Sequence, residues 1–175
     1  MTAKILIVED ESAVREMIAF VLRQTGFSAL QAEDAEQARK ILRREQPDLI
    51  LMDIKMTGAM DGIATAEIVQ TQLDIPVVFI SAYADEDILE RAKHLEPFGY
   101  VVKPVEKKQL RATIEIAIHK KEMERRLRES EEKYRTIVEG LEEGYFEIDL
   151  DLNLTFFNDP LCKILGYSRD DLSGK

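Results

Sequence analysis

The chain has 175 residues, a net charge of −10 and an apolar share of 45%, so a packed core is expected and there is room for one full domain plus a fragment, or for two small domains. The acidic balance argues against a nucleic-acid backbone as main partner, which calls for a concentrated basic face, and no apolar run approaches the roughly 20 residues that cross a bilayer. Cys162, the single cysteine, cannot form an internal disulfide, and Met1-Thr2-Ala3-Lys4 leads into the first apolar run without a secretory leader, so a reducing cytoplasm is expected.

Residues 4–8 read as a short buried strand, apolar and rich in branched side chains. Val14, Met17, Ile18, Val21 and Leu22 follow at helical spacing, with Ser12 as N-cap and Gly26 as stop. A weaker strand lies near 27–31. Asp34 caps a helix carrying Ala35, Ala38, Ile41 and Leu42 that ends before Pro47. The third strand is 49–52. A turn through Thr57-Gly58-Ala59-Met60-Asp61-Gly62 leads to a helix with Ile63, Ala66, Ile68 and Val69. The fourth strand is 77–80, followed by a helix with Ile88, Leu89, Ala92 and Leu95 that stops at Pro97 and Gly99. The fifth strand is 100–102, and another helix starts after Pro104.

Strict strand–helix alternation with short loops predicts an α/β fold, a doubly wound five-stranded parallel sheet covered on both faces. Ligands bind such sheets beyond the carboxyl ends of the strands. Four of those ends are polar: Glu9-Asp10 after the first strand, Asp53 after the third, Ser81 after the fourth and Lys103 after the fifth. One sheet edge then carries three carboxylates, a hydroxyl and an ammonium, a donor set suited to a divalent cation and a phosphoryl group. Each residue alone has an ordinary explanation as a cap, a turn former or an exposed lysine; their joint placement carries the reading. Asp10 and Asp53 are the best direct ligands for Mg2+, with Glu9 holding a metal-bound water. Asp53 ends a central strand, which makes it the nucleophile that would form an aspartyl phosphate.

Residues 4–118 resemble a response-regulator receiver domain. The matching segments are Ile5-Leu6-Ile7-Val8-Glu9-Asp10-Glu11, Leu51-Met52-Asp53-Ile54, Met60-Asp61-Gly62, Ser81-Ala82 and Phe98-Gly99-Tyr100-Val101-Val102-Lys103-Pro104. The resemblance implies a flavodoxin-like (βα)5 fold and phosphorylation of Asp53 by a histidine kinase or phosphotransfer protein. It also implies Mg2+ held by Glu9, Asp10, Asp53 and the backbone carbonyl of Lys55. Ser81 and Tyr100 match the two switch positions, and Lys103 the lysine that pairs with the phosphoryl group. Two departures stand out. Met56-Thr57 replaces the usual Met-Pro, and the stretch from Asp53 to Asp61-Gly62 is one residue longer than the common form. Lys55 puts a long cation near the pocket, either repelling the metal or shielding the acyl phosphate.

No glycine or proline intervenes from Glu106 to Gly140. Leu110, Ile114 and Ile118 suit packing on the sheet. A second stripe runs through Ile116, His119, Met123, Leu127, Ser130, Tyr134, Ile137 and Leu141 in steps of mostly three and four. It reads either as the seam of a dimeric coiled coil, imperfect at His119 and Ser130, or as one face of a solitary solvated helix. Segments 144–149 and 154–158 then read as two strands around Leu150-Asp151-Leu152-Asn153, followed by a short helix near 160–165. Glu131-Glu132-Lys133-Tyr134, Phe156-Phe157-Asn158-Asp159-Pro160 and Leu165-Gly166-Tyr167 resemble the opening of a PAS sensor domain. Only its first part is covered, so no cofactor is expected in that segment.

The expected organisation is a receiver at 1–119, a helical linker and possible coiled coil at 120–140, and an incomplete α+β PAS-like segment at 141–175. The expected activity is that of a phosphoryl acceptor, signalling through the C-terminal helix and forming a homodimer there. Two alternatives are an unphosphorylated dimerisation module and a fragment of a larger PAS-containing hybrid sensor kinase. An aspartyl phosphohydrolase would want an Asp at position 55, where Lys55 stands, and a nucleotide-binding domain a glycine-rich first loop, where Glu9-Asp10-Glu11-Ser12 stands.

Overall fold

The computed structural model describes residues 2–56, 62–81 and 97–172. The expected turn over 57–61, the helix with Ile88, Leu89, Ala92 and Leu95, and Ala82 lie outside those residues. The chain divides into two compact units, Met1–Glu122 and Met123–Lys175.

The first unit holds β1 (Lys4–Val8), α1 (Ser12–Gln24), β2 (Ser28–Ala32), α2 (Ala35–Leu42), β3 (Leu49–Asp53), α3 (Gly62–Leu73), β4 (Val77–Ser81) and β5 (Gly99–Val102). It also holds the first part of α4 (Lys107–Glu139). The strands form one parallel sheet in the order β2-β1-β3-β4-β5, so Asp53 ends the central strand. Every residue of β3 is buried, because a parallel sheet with helices on both faces leaves its middle strand no wet side.

Period-two alternation sorts the core into two layers. Ile5, Ile7, Leu49, Leu51, Val78, Ile80 and Val101 pack with Ile18 and Leu22 of α1 and Leu110 and Ile114 of α4. Leu6, Val8, Ile50, Met52, Val77 and Phe79 pack on the other side with Ala38 of α2 and Ile63, Ala66 and Val69 of α3.

Asp34 caps α2 as expected, its Oδ1 accepting from the Gln37 N–H at 2.7 Å. Ser12 does not cap α1. The Arg15 N–H donates to the Glu11 carbonyl and closes the first turn one residue earlier, so Glu11 is the cap and makes no side-chain capping bond. Gly26, just past the end of α1, sits at φ 90, a left-handed conformation glycine adopts without cost.

The second unit contains the end of α4, an antiparallel hairpin of β6 (Phe146–Ile148) and β7 (Leu154–Phe157), and the short helices α5 (Asp159–Leu165) and α6 (Arg169–Leu172). Asp149 shapes the hairpin turn, accepting from the Asp151 and Asn153 N–H groups at 2.9 Å each. Asn158, fully buried, is its polar hub. Its Oδ1 accepts from the N–H groups of Tyr145 at 2.8 Å and Leu161 at 3.1 Å, and its Nδ2 donates to the carbonyls of Val138 and Glu143 at 2.9 Å each. The apolar cluster is small: Phe157, Leu161 and Leu172, with Leu154 and Cys162 against it.

Candidate functional site

The strand register decides which ends meet. Asp53 pairs with Ile80, and Ser81 with Val102, so Asp53, Ser81 and Lys103 occupy successive positions along one edge. Glu9 and Asp10 follow β1, the other neighbour of β3. The Glu9 N–H donates to the Ala32 carbonyl at 3.1 Å and fixes the start of that loop.

Glu9 and Asp53 are buried, Asp10 half-buried, and one carboxylate oxygen from each lies within 4.8 Å of the others. Lys103 Nζ is 2.9 Å from Asp53 Oδ2 and 2.8 Å from Glu9 Oε2. The Asp53 contact is a hydrogen bond. The Glu9 contact is an ion pair by distance, but Oε2 stays buried without a well-directed hydrogen bond. Burial pushes the Glu9 carboxyl above its ordinary range; the Lys103 ammonium pulls against this and the Asp53 carboxylate adds to it. Burial works to lower Lys103, but its contacts with the Glu9 and Asp53 carboxylates outweigh this and hold it above its ordinary value.

Three carboxylates converge on one point, two of them on the Lys103 ammonium, and a buried Glu9 carboxylate oxygen lacks a directed donor. All the donors are hard oxygens. That set fits Mg2+, which is bound through one or two carboxylates with several retained waters. Lys55 is held close to the acceptor, its N–H donating to Asp53 Oδ1 at 3.3 Å.

Tyr100 is half-buried on edge strand β5 and stacks on Phe79, ring centroids 6.0 Å apart. Phe79 and Ser81 alternate to the same face of β4, so the Tyr100 ring and the Ser81 side chain share a face.

Two contributors had no assigned role in the sequence. Gly62 opens α3 against the end of β3. Its N–H donates to the Ile54 carbonyl at 3.3 Å, and a Cβ there would overlap the Asp53 carbonyl oxygen. Only glycine permits that approach. Arg15 folds its guanidinium back from α1 onto the main chain of the acidic loop, donating to the Glu9 carbonyl at 2.5 Å and the Asp10 carbonyl at 3.3 Å. The Asp-Gly pair at 61–62 is a sequence signal for the first; an arginine one turn inside a helix carries none for the second.

A family model for the response regulator receiver domain matches residues 5–115, and one for the PAS fold matches residues 132–175. The chain belongs to the response regulator receiver domain family, with the opening of a PAS domain after it. It is 36% identical over 123 residues to the phosphate regulon transcriptional regulatory protein PhoB of Klebsiella pneumoniae, covering 69% of this chain and 53% of that protein. Among solved structures it resembles the signal receiver domain of a modulated diguanylate cyclase from Desulfovibrio desulfuricans G20. That match has a TM-score of 0.67 and 35% identity, over 71% of this chain and 99% of the other. A similar match is the N-terminal domain of a response regulator/sensory box/GGDEF 3-domain protein from Carboxydothermus hydrogenoformans, with a TM-score of 0.64 and 35% identity over 69% and 98% of the two chains. The chain spans about half the length of the curated relatives it matches. Among the described residues, no helix is long and apolar enough to cross a membrane.

Proposed function

We propose that Asp53 is the phosphoryl acceptor of this receiver, with a histidine kinase or a phosphotransfer protein as donor. The observation that carries this is the cluster at the end of the central strand: a buried Asp53 beside Glu9 and Asp10, with Lys103 Nζ on its Oδ2. An Asp53 carboxylate oxygen attacks the phosphorus of a phosphohistidine. The P–N bond breaks, its electron pair stays on the imidazole nitrogen, and that nitrogen takes up a proton. Lys103 neutralises charge on a phosphoryl oxygen, and the Ser81 hydroxyl donates to another. Glu9, Asp10, Asp53 and the Lys55 carbonyl would hold Mg2+, which when bound offsets the negative charge of the phosphoryl group. In this reading the chain is an acceptor, and any dephosphorylation is the acceptor site's own.

The signal then travels by packing. A phosphoryl group that draws Ser81 toward it frees room on the face it shares with Tyr100, and the ring moves inward. The change passes into the helix after β5 and on to the PAS segment. Ile116, Met123, Leu127, Tyr134 and Ile137 are exposed along that helix, and in the proposed homodimer a second copy of the chain would cover them. The boundaries 1–119, 120–140 and 141–175 describe this division of labour, which fits a larger multidomain protein in the cytoplasm. The receiver–sensory box order of the Carboxydothermus relative supports that layout.

The test is intact mass after incubation with acetyl phosphate and Mg2+. One phosphoryl adduct is expected on the wild type and none on Asp53→Asn. No adduct on either, together with no Mg2+ binding, would leave the domain as a structural dimerisation module.

A further inference from the structure

We propose that Arg15 is a positioning residue that presets the acidic loop for the cation. This rests on the reading of Glu9, Asp10 and Asp53 as a cation and phosphoryl site. The entry of the loop is fixed by the Glu9 N–H on the Ala32 carbonyl, but its exit into α1 has no side-chain cap, because Glu11 makes no capping bond. Three carboxylate oxygens held within 4.8 Å of one another repel, and a loop free to relax would let them spread.

Arg15 closes that gap. Its own N–H is tied to the Glu11 carbonyl at 2.9 Å in the first helical turn, so the base of the side chain is rigid. Its Nη1 then reaches back to two consecutive carbonyls, Glu9 at 2.5 Å and Asp10 at 3.3 Å. Those bonds are charge-assisted and go to the main chain of the very residues whose carboxylates form the cluster. The guanidinium therefore fixes where the ligands are while leaving their oxygens for the cation. Residues that orient metal ligands in this way typically govern affinity by about 10–100-fold.

The sign of the effect separates positioning from charge. Arg15 is itself a cation, so if it acted only through its field, removing it would tighten Mg2+ binding. Positioning requires the opposite. Calorimetric titration of the full chain with MgCl2 compares wild type, Arg15→Met and Arg15→Lys, with thermal midpoints taken in the absence of metal. Arg15→Met is expected to weaken Mg2+ binding by about tenfold or more, and Arg15→Lys, which keeps a charged donor, to recover part of that loss even where the Met variant folds poorly. Affinity in Arg15→Met that is unchanged or tighter, or a fall in thermal midpoint without a fall in affinity, overturns the inference and leaves the site reading intact. Absence of Mg2+ binding by wild type overturns both.

Discussion

The two units are built on different physics. The receiver unit encloses a wholly buried central strand between two apolar layers, with the buried carboxylates of Glu9 and Asp53 at one edge. Among the described residues, the PAS-like unit has a cluster of three buried apolar residues and leaves Phe146, Ile148, Ile164 and Leu165 exposed. What defines it is polar: Asn158 with four bonds, and Arg169, whose Nη2 reaches Glu139 at 2.7 Å, Asp159 at 2.9 Å and the Phe157 carbonyl at 3.3 Å. A layered core tolerates a charged edge, because its stability comes from elsewhere. A short segment without such a core depends on each hydrogen bond at its hub.

That contrast can be broken most strongly in the receiver core. Phe79→Ala removes a fully buried ring and the stacking partner of Tyr100, and is expected to cost about 3–5 kcal/mol in urea unfolding monitored at the receiver. An effect below about 1 kcal/mol would mean the layer is not packed as described. In the second unit the equivalent target is polar. Asn158→Ala removes four side-chain hydrogen bonds, although the Leu161 N–H keeps the Asn158 carbonyl at 3.2 Å and the Val138 carbonyl keeps the Leu141 N–H at 3.4 Å, and is expected to cost about 1–3 kcal/mol. Hydrogen exchange should accelerate at the Tyr145 amide, and unchanged protection there would deny Asn158 its role.

The two units also respond to pH with opposite signs. The folded Glu9 carboxyl sits above its ordinary 4.5, chiefly through burial, so its contribution is present below pH 4.5 and lost as pH rises through the folded value. Ionised Glu9 is thus a burden at neutral pH without metal, and Glu9→Gln should raise the thermal midpoint there but not below pH 4.5. Glu147, on the hairpin, has the opposite sign. Hydrogen bonds from Tyr134 at 2.5 Å and Tyr145 at 2.9 Å hold it below its ordinary 4.5, and the Tyr134 hydroxyl is raised by the same contact. Its stabilisation is present above pH 4.5 and lost as pH falls through the lowered folded value. Because the group is exposed the effect is the smallest of the four. A carboxyl NMR titration should show the midpoint return toward 4.5 in Tyr134→Phe.

The sheet and its polar edge were legible because parallel strands write themselves as apolar runs, and the residue after each run is placed by the topology alone. Asp53, Lys103 and the Glu9-Asp10 pair follow from that. The buried face of the long helix was legible too, since Leu110 and Ile114 repeat at helical spacing and lie in the core. Ser12 misled because Ser and Glu are adjacent and a propensity for caps does not say which residue closes the first turn. Gly62 was marked by the Asp-Gly pair, although its close approach to the end of β3 was not. Arg15 escaped for a deeper reason: its contacts are with main chain brought there by folding, and no periodicity encodes them. The longer stretch between Asp53 and Asp61-Gly62 was visible as a count, but its shape lies outside the described residues.

If Asp53 carries the phosphoryl group, its acyl phosphate can be trapped chemically. Wild-type protein treated with acetyl phosphate and Mg2+, then reduced with borohydride, should yield homoserine at position 53 and at no other aspartate by peptide mass mapping. Homoserine at position 10, or at no position despite an intact-mass adduct, would contradict the account.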